Sequence, residues 1–158
     1  PVAQAGREDP ERGMRVMALD VGLRWIGVAV TDETGTLAMP HSVLERQREG
    51  HRRVVARGRV LARGLGGERI VVGLPLYMDG SEGRSAELAR AFAEALRVAV
   101  SIPLEMHDER LSTFSAREAA LEADPAGVAR GRRVDDLAAA FLLRDYLERR
   151  TAGAAGQP

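Results

Sequence analysis

Three short apolar runs lie close together near the start of this chain, and their spacing constrains the fold more than any other feature. Arg15–Asp20, Ile26–Thr31 and Leu37–Val43 are separated by turn-sized gaps around LRW and DETG. Such gaps join antiparallel neighbours, so these runs predict a three-stranded meander. Beyond Val43 the pattern changes character. His51–Gly64 has the pattern of a helix ended by the Gly-rich LGG at 65–67. Arg69–Gly73 (RIVVG) is β-branched without alternation, the pattern of a strand buried on both faces. Ser85–Val100 reads as a long helix capped by Ser85, and Pro103–His107 as a fifth strand. Ser112–Glu122 reads as helical, with Ser115 and Glu118 at capping-box spacing. Ala123–Arg133 is a loop and Val134–Arg150 the final helix.

The order βββ-α-β-α-β-α-α implies an α/β fold. Three antiparallel strands continue into crossover-connected parallel ones, giving a mixed five-stranded sheet with helices on both faces. Pro1–Gly13 is polar and without periodicity, and reads as a disordered leader; Thr151–Pro158 reads as a frayed tail. One domain over residues 14–150 remains, and a chain of 158 residues suits one.

Composition removes whole classes of chemistry. With no Cys there are no disulfides, thiol nucleophiles or Cys-based zinc sites. All 23 basic residues are Arg, so no Schiff-base or Walker-type Lys exists and a P-loop NTPase is excluded. Every cation is a planar guanidinium suited to bidentate contact with phosphate. The 23 acidic residues balance them, so no global field steers nucleic acid. No apolar run approaches the ~20 residues of a membrane helix and no signal-peptide pattern opens the chain, so a cytoplasmic protein without membrane contact is expected.

Four stretches could carry chemistry. In ALDVGLRWIGVAV, Asp20 ends a buried strand beside a tight turn. A turn Asp bonding its own backbone is the commoner case, but the apolar VMAL before it makes a carboxylate without a partner costly. In HDERLST, Asp108 and Glu109 are candidates for metal ligands or a general base; equally, they precede a helix and could pair with Arg110. In RRVDDLAAAFLL, Asp135 shares a helical face with Ala138, Ala139, Leu142 and Tyr146, which would aim it inward at the sheet rim. A helix cap by Asp135 or Asp136 is the simpler reading. In VGLPLYMDGSEGRS, backbone N–H groups at a helix start could hold a phosphate, although Asp79-Gly80 is also an ordinary turn pair. His41, His51 and His107 fit no metal spacing and read as surface or hydrogen-bonding residues.

Charge is uneven locally. Arg46–Arg63 holds seven Arg against Glu49 alone, with Arg52, Arg59 and Arg63 along one helical face, and Arg130, Arg132 and Arg133 precede Asp135. Solvated surface explains such runs most often; near acidic strand ends they also fit a phosphodiester track around a metal site.

Taken in order, the motifs resemble the YqgF/RuvX family, Holliday junction resolvase-like proteins also assigned to pre-16S rRNA processing. The resemblance is carried by Asp20-Val21-Gly22 with Ile26-Gly27-Val28-Ala29, and by Val72-Gly73-Leu74-Pro75 with Met78-Asp79-Gly80-Ser81. His107-Asp108-Glu109-Arg110-Leu111-Ser112-Thr113 and Val134-Asp135 with Ala138-Ala139 complete it. It spans about Met14 to Arg150. It implies a ribonuclease H-like fold and a carboxylate triad of Asp20, Glu109 and Asp135, with Asp136 ranked below Asp135.

The expected function is therefore a metal-dependent nuclease acting on structured nucleic acid, either the 5′ end of pre-16S rRNA or branched DNA. Three carboxylates without Cys favour Mg2+ or Mn2+, which would activate water and stabilise the leaving oxygen of an in-line displacement. Arg24, Arg110, Arg52, Arg59, Arg63, Arg132 and Arg133 are the expected substrate-binding residues. A resolvase cutting two strands symmetrically needs a homodimer. Two other classes compete. An actin-like ATPase shares the Asp-x-Gly turn but needs a second domain, and a non-catalytic nucleic-acid-binding accessory factor needs no metal.

Overall fold

A computed structural model describes residues 13–110 and 135–155. The side chain of Asp135 lies outside that description, as do Arg130, Arg132, Arg133 and the expected helix at 112–122. The described residues form β1 (Val16–Val21), β2 (Trp25–Thr31), β3 (Ala38–Glu45), α1 (Arg46–Glu49), α2 (His51–Gly64), β4 (Arg69–Leu74), α3 (Arg84–Ala99), β5 (Leu104–Asp108) and α4 (Asp135–Ala155).

The sheet order is β3-β2-β1-β4-β5. β1 pairs antiparallel with β2, and β2 with β3, as the short gaps require. β4 then lies parallel to β1 and β5 parallel to β4. β3 is an edge, and it tolerates Pro40 because a missing N–H costs nothing on the solvent side. A register shift at Val28/Ala29 sits opposite that proline. β4 is central, and Ile70, Val71 and Val72 are fully buried, as its unbroken β-branched run demands.

Each face of the sheet has its own core. Met17, Leu19, Ile26, Val28, Leu44, Ile70 and Val72 pack with Val54 and Ala62 of α2 and Phe92 and Leu96 of α3. On the other face Val16, Ala18, Ala29 and Val71 meet Ala139, Ala140, Leu142, Leu143 and Tyr146 of α4. Alternation along β1 puts Asp20 on this second face, in line with Val16 and Ala18. The alanines on both sides let α4 lie close to the sheet.

Several boundaries differ from expectation. β1 runs on to Val21, so Asp20 is paired within it, opposite Gly27. A short helix, α1, precedes α2, and the chain turns between them at Gly50, whose φ of 79° favours glycine. Ser85 does not cap α3: Gly83 is the N-cap, without a side-chain bond, and Ser85 lies in the first turn. α4 continues through the expected tail to Ala155, where Thr151 Oγ1 donates to the Leu147 carbonyl at 3.0 Å. Among the described residues no helix is long and apolar enough to cross a membrane.

Candidate active site

Asp20 and Glu109 meet at the C-terminal edge of β1 and β4. Leu19 pairs with Val72, so Asp20 comes level with Gly73 one residue on. Glu109 comes directly after the last residue of β5, with its N–H donating to the Leu74 carbonyl at 3.2 Å, and its side chain turns back over β4. Gly73 makes the room for it. A Cβ at Gly73 would stand 2.6 Å from Glu109 Oε1, closer than real side chains come, and 3.1 Å from Leu142 Cδ2. The strand edge, the glycine and α4 together form a pocket for one carboxyl group.

Electrostatics separate the two acids of the HDER motif. Burial, then the charge of Asp20, then that of Asp108, push the Glu109 carboxyl up to about 8. Asp108 moves the other way: hydrogen bonds from the Arg110 side chain and backbone hold it below the usual carboxylate range. Arg110 Nη2 donates to Asp108 Oδ2 at 2.7 Å, its Nε at 3.0 Å and its backbone N–H to Oδ1 at 2.9 Å. Asp108 is thus committed to Arg110, the pairing its neighbour in sequence suggested, while Glu109 faces Asp20.

Two carboxyl groups held together with one disfavoured as an anion form a hard-oxygen donor set that suits Mg2+ or Mn2+, since a cation there would favour the charged form. Among the described residues no group of three potential ligands is assembled. Asp135 is the first residue of α4, one turn before Ala139, which packs against the same face as Asp20.

The arginines divide. Arg24 lies in the β1–β2 turn with its guanidinium 4.9 Å from the Trp25 ring centroid and its Nη2 3.9 Å from Glu45. Arg46 reaches the Gly22 carbonyl from Nη1 at 3.5 Å, so the start of α1 is at the carboxylate edge, and α2, with Arg52 in its first turn, is separated from α1 by Gly50 alone. Arg59 and Arg63 are not. The C-terminal end of α2 comes down beside the start of β1, where Glu68 N–H donates to the Arg15 carbonyl at 2.8 Å. There Arg59 and Arg63 line a separate cleft of about 300 Å³ with Ala99, Val100, Ser101 and Ile102. Level with Gly73 on the next strand, His107 Nε2 lies 2.7 Å from Asp145 Oδ2 and meets the Tyr146 ring edge-on at 5.7 Å, the hydrogen-bonding role its spacing suggested.

The family model described as RuvX, Holliday junction resolvase, matches residues 14–149. The chain belongs to this family. Among curated relatives, one from Symbiobacterium thermophilum is 43% identical over 139 residues, covering 88% of this chain and 95% of that protein. One from Myxococcus xanthus is 39% identical over 135 residues, covering 85% and 88%. Both carry the provisional name pre-16S rRNA nuclease. Among solved structures, Thermus thermophilus RuvC bound to a Holliday junction superposes with a TM-score of 0.57 at 18% identity, covering 89% of this chain and 97% of that one. The fowlpox virus resolvase with its junction DNA gives 0.51 at 13%, covering 86% and 98%. Those identities speak for the fold alone, and it is the expected ribonuclease H-like one. This RuvX-family chain is accordingly a nuclease.

Gly73 is a site residue that sequence reading missed. The signal was present: a glycine inside a β-branched strand marks a close approach of something to the backbone. The VGLP stretch draws attention to its loop instead.

Proposed function

We propose that this nuclease hydrolyses phosphodiester bonds of structured nucleic acid, working in the cytoplasm on the 5′ end of pre-16S rRNA, with Asp20, Glu109 and Asp135 holding Mg2+ or Mn2+. The observation that carries the reading is the convergence of Asp20 and Glu109 over Gly73. A divalent ion held by these carboxylates would supply Lewis-acid chemistry for phosphodiester hydrolysis. The chain supplies the geometry. β1 fixes Asp20, the Gly73 pocket fixes the Glu109 carboxyl, and α4 begins at Asp135, one turn before Ala139 on that face of the sheet. Arg24 and Arg52 are available for flanking phosphates, while Arg110 orders the strand end through Asp108. The names of the relatives support the RNA substrate.

The family description and the RuvC-like fold favour a second reading, in which a homodimer cuts a four-way DNA junction. Purified protein should be assayed on both substrates with Mn2+ and with EDTA. Metal-dependent cleavage at the precursor 5′ end, with the junction left intact, is expected. Preferential junction cleavage would replace the first reading by the second, and no cleavage of either would leave a binding factor.

A further inference from the structure

The loop after β4 presents two large apolar side chains to solvent beside the carboxylates. Tyr77 is 62% exposed and Met78 83%. Single exposed apolar residues are ordinary, but this pair is adjacent and the backbone beneath it is fixed. Leu76 and Glu82 bridge across the loop. Tyr77 N–H donates to the Ser81 carbonyl at 3.0 Å, and Gly80 N–H to the Tyr77 carbonyl at 2.8 Å. Asp79 Oδ1 accepts from Ser81 N at 2.9 Å and from its Oγ at 2.6 Å. The ring edge of Tyr77 rests on the backbone of Gly83, where a Cβ would stand 2.6 Å from Oη and 2.8 Å from Cζ and Cε2. A side chain at Gly83 would lift the ring.

The loop is also tied to the site. Gly80, with a φ of 87°, brings its backbone to Arg110, whose Nη1 would lie 3.1 Å from a Cβ there. Arg110 is in turn locked to Asp108, and Glu109 stands between the two in sequence. The clasp therefore sets the position of Tyr77 and Met78 relative to the Glu109 carboxyl. An ordered aromatic ring next to a thioether, with the Arg110 guanidinium against the same loop, is chemistry that stacks on a base while the backbone is held.

We propose that Tyr77 and Met78 form a platform for an unstacked nucleobase adjoining the bond that is cut, held in place by the Asp108–Arg110–Gly80 clasp. The inference rests on the nuclease reading. It makes Tyr77 a substrate-positioning residue and favours sites with an unpaired base over uniform duplex.

The test is fluorescence of single-stranded oligoribonucleotides carrying 2-aminopurine, titrated with full-length protein in EDTA so that nothing is cleaved. The wild type should quench the probe, and Tyr77→Phe, which keeps the ring, should match it within about twofold. Tyr77→Ala should weaken binding on the order of tenfold and abolish most of the quench, the effect of losing one stacked base. Met78→Ala should show a smaller loss. Equal binding and quenching by wild type and Tyr77→Ala would overturn the proposal, as would a wild type that does not quench. Asp20→Asn separates the two readings: if it cleaves like wild type in Mn2+, the metal assignment fails, whereas the quench reports on the platform alone.

Discussion

The Glu109 carboxyl occupies the space that a side chain at Gly73 would need, with Oε1 2.6 Å from the position of the missing Cβ. A residue near the C-terminal end of an inner strand thereby sets the position of an acid just past the end of its neighbour. Gly73→Ala should push Glu109 aside, because the far end of a carboxylate side chain yields more easily than a strand. Cleavage should fall on the order of a hundredfold, the usual cost of misplacing a reacting group by about 1 Å. Thermal stability should change little. Wild-type turnover in this variant would mean that the position of Glu109 is not what the strand glycine is for.

Glu109 also gives stability a pH dependence. Its carboxyl ionises at the ordinary value of 4.5 when unfolded and at about 8 in the fold. Between these values the folded state holds a proton that the unfolded state has released, so stability falls as pH rises through this window and the full cost is felt above it. Urea unfolding in EDTA should show this decline from about pH 5 to about pH 8, and Glu109→Gln should flatten it. An unchanged slope in the Gln variant would assign the dependence to other groups.

The fold was legible where local chemistry and tertiary context agree. RIVVG has the pattern of a strand buried on both faces and is one, and α2 spans His51–Gly64 and ends at the Gly-rich LGG, as expected. The start of α3 misleads because Ser85 is a good cap by type, whereas the N-cap position belongs to Gly83, whose open surface also seats Tyr77. The family resemblance names Asp20 and Glu109, two acids that the fold brings close enough for the charge of one to act on the other. Spacing alone does not separate the roles of Asp108 and Glu109, since these depend on which acid Arg110 takes and which one lies over Gly73. Periodicity puts Arg52, Arg59 and Arg63 on one helical face but cannot tell which end of the helix meets the site.

That distinction is measurable. Arg52 and Arg63 are about 16 Å apart along the helix at 1.5 Å per residue. Replacing Arg24 and Arg52 with Gln should weaken nucleic-acid binding and flatten its salt dependence by up to about two units, near 0.9 per duplex phosphate contact. The same change at Arg59 and Arg63 should leave the slope as it is. The opposite ranking would move the phosphate track to the far cleft.

At the start of α4 the two adjacent acids should separate. Asp136 Oδ1 accepts from the Leu137 N–H at 2.8 Å, a local contact within the helix start. Asp135→Asn should abolish cleavage with little loss of stability, since Asn serves a helix start about as well as Asp. Asp136→Asn should stay active. The reverse result would put the motif one residue out of register.

The central claim is that Asp20 and Glu109 form a metal-binding pair at which a phosphodiester is cut. The most direct measurement is Mn2+-dependent cleavage of a precursor rRNA 5′ end by the wild type and by Asp20→Asn at matched folding. The account predicts wild-type cleavage that EDTA stops and none above background for Asp20→Asn, whose shape is nearly unchanged but whose charged ligand is gone. Cleavage that persists in EDTA, or an Asp20→Asn variant that cuts like the wild type in Mn2+, would contradict it.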